Sequence, residues 1–168
     1  MLRFDERKIH EIALRYQYAE LDTELIDMKP AIENRGFVTQ DELYKIALWK
    51  APRNSSRVRK NSEVDVAEVS RFALHTRSEK ARVESLLMLY GVGWPMASVI
   101  LHFFHKDPYP ILDFRALWSI SLERPSYYSF DFWWAYVQFC RQLVARNGVD
   151  MRTLDKALWQ YSNENQSS

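Results

Sequence analysis

The sequence predicts an all-α fold, one compact domain over residues 1–168. Three observations carry that prediction. Apolar residues recur at i, i+3 and i+4, the spacing that gathers them on one face of a helix. A Ser or Thr stands three positions before an acid at Thr39–Glu42, Ser62–Asp65 and Thr76–Glu79, a pattern that satisfies the open N–H groups of a first helical turn. No run alternates apolar and polar with the period of a half-buried strand, and the chain contains neither a repeat nor a low-complexity tract.

The elements follow in order. Ile9, Ile12, Ala13, Tyr16 and Ala19 predict an amphipathic helix over residues 5–20. A second spans 23–35 and stops at Gly36, with Pro30 as a point of kinking or earlier ending. Thr39 and Glu42 open a third over 40–50. The polar, breaker-rich APRNSSRVRKN that follows reads as a loop. Ser62 opens a helix to Leu74, and Thr76 opens one to Tyr90. Helices are further expected over 95–105, 114–122, 130–147 (ending at Gly148) and 151–162.

Composition bounds the function. At 47% hydrophobic and 27% charged residues the chain is of ordinary globular type. No apolar run reaches membrane-spanning length, and the charged start MLRFDERK is not followed by a signal-peptide core, so a cytoplasmic protein with no membrane partner is expected. Cys140 is the single cysteine, which excludes an internal disulfide, a four-cysteine iron–sulfur cluster and a cysteine zinc site. No cofactor or metal is expected, and the chain is expected to be a monomer. The net charge of +1 is unevenly spread. Residues 1–42 hold 6 Lys/Arg against 10 Asp/Glu, residues 43–82 hold 10 against 4, and residues 83–168 hold 7 against 8. A focused basic segment can grip phosphates on a nearly neutral protein, though basic loops are also common as solvated surface.

The most informative stretch is GVGWPMASVILHFFHKDPYPILDFRALW, residues 91–118, which holds two of the chain's four glycines around one valine. Glycine permits positive φ and leaves no Cβ in the way, so Gly91-Val92-Gly93 can reverse the chain tightly and bring main-chain N–H groups to an outside anion. The helix beginning at Trp94-Pro95 adds its own first-turn N–H groups, and Val92 and Ala97 point inward. Pro108 and Pro110 hold the next segment extended and place Asp113 as the N-cap of the following helix, where first-turn N–H groups favour a negative side chain. A plain interhelical turn and a plain cap account for the same residues.

The longer run LLMLYGVGWPMASVILHFFHKDPYPILDFRALWSI resembles the signature of the helix-hairpin-helix DNA glycosylase superfamily (HhH-GPD), through Leu89, Gly91, Val92, Gly93, Ala97 and Asp113. The 22 positions from Gly91 to Asp113 agree with the family pattern. The resemblance covers residues 80–120 and implies a two-lobed all-α domain, a DNA partner, a hairpin over 77–105 and a catalytic loop over 106–113. It implies that Asp113 is the catalytic carboxylate. Two positions depart from the pattern. Tyr90 stands where many members have proline, and Pro95 stands where bifunctional members carry the lysine that attacks the sugar. With no such amine, the Schiff-base route lacks a nucleophile, Lys106 being merely the nearest lysine, so the resemblance implies a monofunctional enzyme.

Further candidates surround this core. Gly91, Val92, Gly93 and Trp94 would meet DNA, as would Arg53 and Arg57 in the acid-free stretch WKAPRNSSRVRK. Trp49, Trp133 and Tyr128 are candidates for a base pocket, each with a core role as the alternative. His102 and His105 share a helical face but lack a third ligand. A non-catalytic module that binds DNA or protein, and a purely structural helical domain, remain the competing readings.

Overall fold

Side-chain caps open most of the helices of the computed structural model, which describes residues 1–166. Among those residues there is no strand. The helices are α1 (Ile9–Leu14), α2 (Thr23–Arg35), α3 (Gln40–Lys50), α4 (Glu63–His75), α5 (Glu79–Leu86), α6 (Trp94–Phe104), α7 (Phe114–Ser119), α8 (Phe130–Asn147) and α9 (Met151–Asn165). Thr39 forms a full capping box with Glu42, and Ser62, Ser129 and Asp150 accept first-turn N–H groups at α4, α8 and α9. Gly36 and Gly148 close α2 and α8 in the left-handed conformation.

The helix expected over 114–122 ends at Ser119 and that over 151–162 runs on to Asn165; three larger differences lie earlier in the chain. The helix expected over 5–20 is a 3-10 turn (Glu6–Lys8), then α1, then a break before a second 3-10 turn (Ala19–Asp22). Ile9 and Ile12 are buried but Leu14 is 73% exposed, so the apolar face runs out after four residues. The helix expected to start at Thr76 and reach Tyr90 is capped instead by Ser78 and ends at Leu86. The expected loop after α3 is a 3-10 helix, Pro52–Lys60. Its three-residue turn stacks Ser55 above Val58 on the buried side and leaves Arg53, Arg57, Arg59 and Lys60 exposed.

The chain divides into two compact units. Residues 18–106 form one, comprising α2 to α6 and the Pro52–Lys60 segment. Its axis is α6, whose Met96 to Leu101, Phe103 and Phe104 are all buried, with α2, α3 and α5 packed against it. Buried Arg82 closes the end of α4 by donating to the Ala73 and Thr76 carbonyls. Residues 1–17 and 107–166 form the other unit, where α9 is central and α1, α7 and α8 pack on it. No helix among the described residues is long and apolar enough to cross a membrane.

Candidate functional site

The first candidate site is the reversal between α5 and α6, residues 87–93. Leu89 and Val92 are buried and hold it down, while Met88 and Tyr90 face water. Gly91 has φ +77°, and a Cβ there would lie 2.9 Å from Val58 Cγ1 and 3.1 Å from Arg57 Cβ and the Val58 nitrogen. Glycine is therefore required at 91 both by conformation and by the 3-10 segment against it. Gly93 differs from expectation. Its φ of −98° and ψ of −177° are open to any residue, and a Cβ would meet only Pro95 Cδ, at 3.9 Å. Nothing inside the unit demands glycine there.

The amides of the reversal alternate. Tyr90 N–H donates to Asn61 Oδ1 at 2.8 Å, and Val92 N–H donates to the Leu89 carbonyl at 3.1 Å. The N–H groups of Gly91 and Gly93 have no partner among the described residues. Asn61 is 6% exposed and binds its own side of the turn too, donating through Nδ2 to the Tyr90 carbonyl at 3.0 Å and the Val58 carbonyl at 2.9 Å. The 3-10 segment and the reversal are thus one piece, and the acid-free stretch lies beside the glycines. Arg59 pairs with Asp41 and covers the Tyr44 ring. Exposed Arg53, Arg57 and Lys60 have no acidic partner among the described residues. Trp94, half-buried, begins α6, and Val92 contributes as an anchor because its side chain is inside.

The second candidate site lies in the other unit, at the end of the extended segment 107–113. Tyr109, Pro110, Ile111 and Leu112 are buried, and α8 grips them at three points. Tyr136 Oη donates to the Ile111 carbonyl at 2.9 Å, and Arg141 Nε donates to the Pro108 carbonyl at 2.8 Å. The Tyr109 ring packs against both Trp133, stacked at 5.8 Å, and the Arg141 guanidinium, 4.6 Å from its centroid. This grip delivers Asp113 as a half-buried N-cap of α7, with Oδ1 accepting the Arg115 N–H at 2.9 Å.

Charge and burial tune the neighbours. Burial pushes the Tyr128 phenol up, the Asp113 charge adds to that, and Arg124 opposes it. Burial holds Tyr136 well above the usual phenol range and also raises the Cys140 thiol, which is sequestered from reaction. Trp133 is fully buried between Tyr109 and Phe130, a core position with no open face for a base. Trp49 belongs to the unit of residues 18–106, half-buried and edge-on to Phe103 at 5.5 Å. His102 lies edge-on to Phe103, and no group of three His, Cys, Asp or Glu side chains suited to a metal ion forms among the described residues.

Asn61 and Arg141 are absent from the residues the sequence singles out, and Tyr136 stands out there only as a member of the aromatic run over residues 127–136. Asn61 and Tyr90 are 29 positions apart and Tyr136 and Ile111 are 25 apart, so no local pattern links them. The further signal for Tyr136 is its place on the buried face of α8 with Trp133, Val137 and Cys140. No protein-family model matches this chain, and no curated protein or solved structure matches it.

Proposed function

We propose that this chain is a monofunctional DNA glycosylase, which hydrolyses the bond between a damaged or modified base and its deoxyribose and leaves an abasic site. The observation that carries the reading is the alternation at 90–93. The Tyr90 and Val92 amides are spent inside the protein, while the Gly91 and Gly93 amides that alternate with them have no partner among the described residues, and the segment packed on Gly91 carries the exposed cations Arg53, Arg57 and Lys60. Such amides bind phosphate oxygens without regard to base, as a helix-hairpin-helix element does.

Asp113 supplies the chemistry in this reading. As the C1′–N bond breaks, positive charge develops on the sugar, and a fixed carboxylate stabilises it while water adds to C1′. The base departs with the bonding electron pair and gains a proton. The nucleotide must leave the stack before its glycosidic bond is reachable. Tyr128 is the candidate to meet the flipped base. Pro95 leaves the helix start without an amine, so strand cleavage through a Schiff base is not part of the activity.

One observation favours a second reading, a binding module without chemistry. Asp113 Oδ1 is already engaged as a cap, which is a sufficient reason for the residue. The deciding experiment incubates the protein with DNA duplexes and single strands carrying a panel of damaged and modified bases, then reveals abasic sites with alkali. The glycosylase reading expects alkali-labile sites from at least one base and no borohydride-trapped adduct. DNA binding without release from any base would favour the binding module.

A further inference from the structure

We infer that the reversal holds an unpaired nucleotide, with Tyr90 as its stacking platform, so that the DNA taken there is single-stranded or locally opened. This rests on the reading that residues 87–93 contact DNA, and it adds the form of DNA and the residue that selects it. Tyr90 is 64% exposed and Met88 is 77% exposed, two large side chains in water within three residues, while Leu89 between them is buried. Among the described residues no aromatic ring or cation packs on the Tyr90 ring. Other aromatic rings of this unit are differently placed: Arg59 covers Tyr44, and Arg35 and Arg71 both lie over Phe37.

The backbone under Tyr90 is nonetheless fixed. Asn61 holds both its N–H and its carbonyl, so the ring is presented from a rigid base and stacking orders little more than two side-chain torsions. Gly91, next in the chain, has an open amide, and Arg57 lies against it. An open aromatic face beside amides and unpaired cations is the combination that binds single strands, the cations following the phosphates and the ring taking a base. A grip on intact duplex needs the amides and cations but has no use for the ring, because paired bases are already stacked. Exposed Arg53, Arg57 and Lys60, with no acidic partner among the described residues, complement an anionic partner, and the open aromatic ring beside them favours nucleic acid over an acidic protein.

The test measures binding of the full chain to fluorescein-labelled oligothymidine and to a blunt duplex of equal length, by anisotropy over a salt series. The single strand is expected to bind more tightly. Tyr90→Ala is expected to weaken single-strand binding about tenfold or more and duplex binding less than about twofold, while Tyr90→Phe retains wild-type affinity for both. Arg57→Ala should weaken both and reduce the salt slope by about one ion. If Arg57→Ala weakens binding but Tyr90→Ala does not, the stacking inference falls and the DNA contact stands. Equal losses on both DNA forms with Tyr90→Ala also overturn it. Binding through Tyr90 without release of any base would leave this inference standing and remove the glycosylase reading.

Discussion

Replacing Gly93 with valine separates a glycine kept for an outside group from one kept for the fold. The backbone at 93 is extended, with φ −98° and ψ −177°, a region that suits a β-branched residue. The new Cβ meets only Pro95 Cδ, at an ordinary 3.9 Å. No steric strain arises, but Gly93 is also the N-cap of α6, where valine is less suited than glycine, so stability should fall by no more than about 0.5–1 kcal/mol. Binding should respond differently, because the valine side chain stands where a phosphate would approach the open amide. Losing one hydrogen bond to a charged group removes about 1.5–3 kcal/mol, or about ten- to a hundredfold in affinity. Gly91→Ala is the contrasting control. At φ +77° it adds about 1–2 kcal/mol of strain, and its Cβ would sit 2.9 Å from Val58 Cγ1, so it should melt lower whatever it binds. Thermal melting and anisotropy with labelled DNA measure both quantities. A Gly93→Val protein that folds and binds DNA as the wild type does would refute the hairpin argument.

Two further outcomes are expected. Tyr136→Phe leaves the buried Ile111 carbonyl without its donor, so it should destabilise by about 1–3 kcal/mol and speed amide exchange in residues 107–113; unchanged exchange would show that α8 does not hold the segment. Arg146 and Asn147 lower the pKa of Glu6, Arg15 does the same to Glu164, and Arg7 brings Asp5 to about 2. Carboxylates depressed in this way stabilise the fold above their unfolded values and lose that contribution as pH falls through the folded ones. The melting temperature should therefore decline as pH falls from about 5 toward about 2, and Glu6→Gln should flatten part of that slope.

What the sequence discloses here is local. Thr39 and Ser62 cap helices through partners three residues away, so α3 and α4 are legible from a short window. Gly36 and Gly148 mark helix ends for the same reason. Residues 15–18 mislead because the helical period continues there while the buried face does not, and the chain passes to its other unit between Gln17 and Tyr18. Residues 52–60 mislead because charge conceals a three-residue period that only Ser55 and Val58 reveal. The glycines and Asp113 are legible as candidates by spacing. What fixes them is not, since Asn61 reaches Tyr90 and Tyr136 reaches Ile111 across folded distance alone. Trp133, prominent in an aromatic run, proves to be core because burial is a property of the whole unit.

The central claim, that Asp113 is a catalytic carboxylate, is tested most directly by single-turnover base release with Asp113→Asn on a DNA base that the wild type excises. Asparagine is also a good N-cap and keeps an oxygen for the Arg115 N–H, so α7 should remain capped and melting should change little. The charge that opposes the developing cation on the sugar is removed. Release should fall about a hundredfold or more, with DNA affinity close to that of the wild type. Full release by the Asp113→Asn protein would contradict the claim and leave Asp113 as a cap.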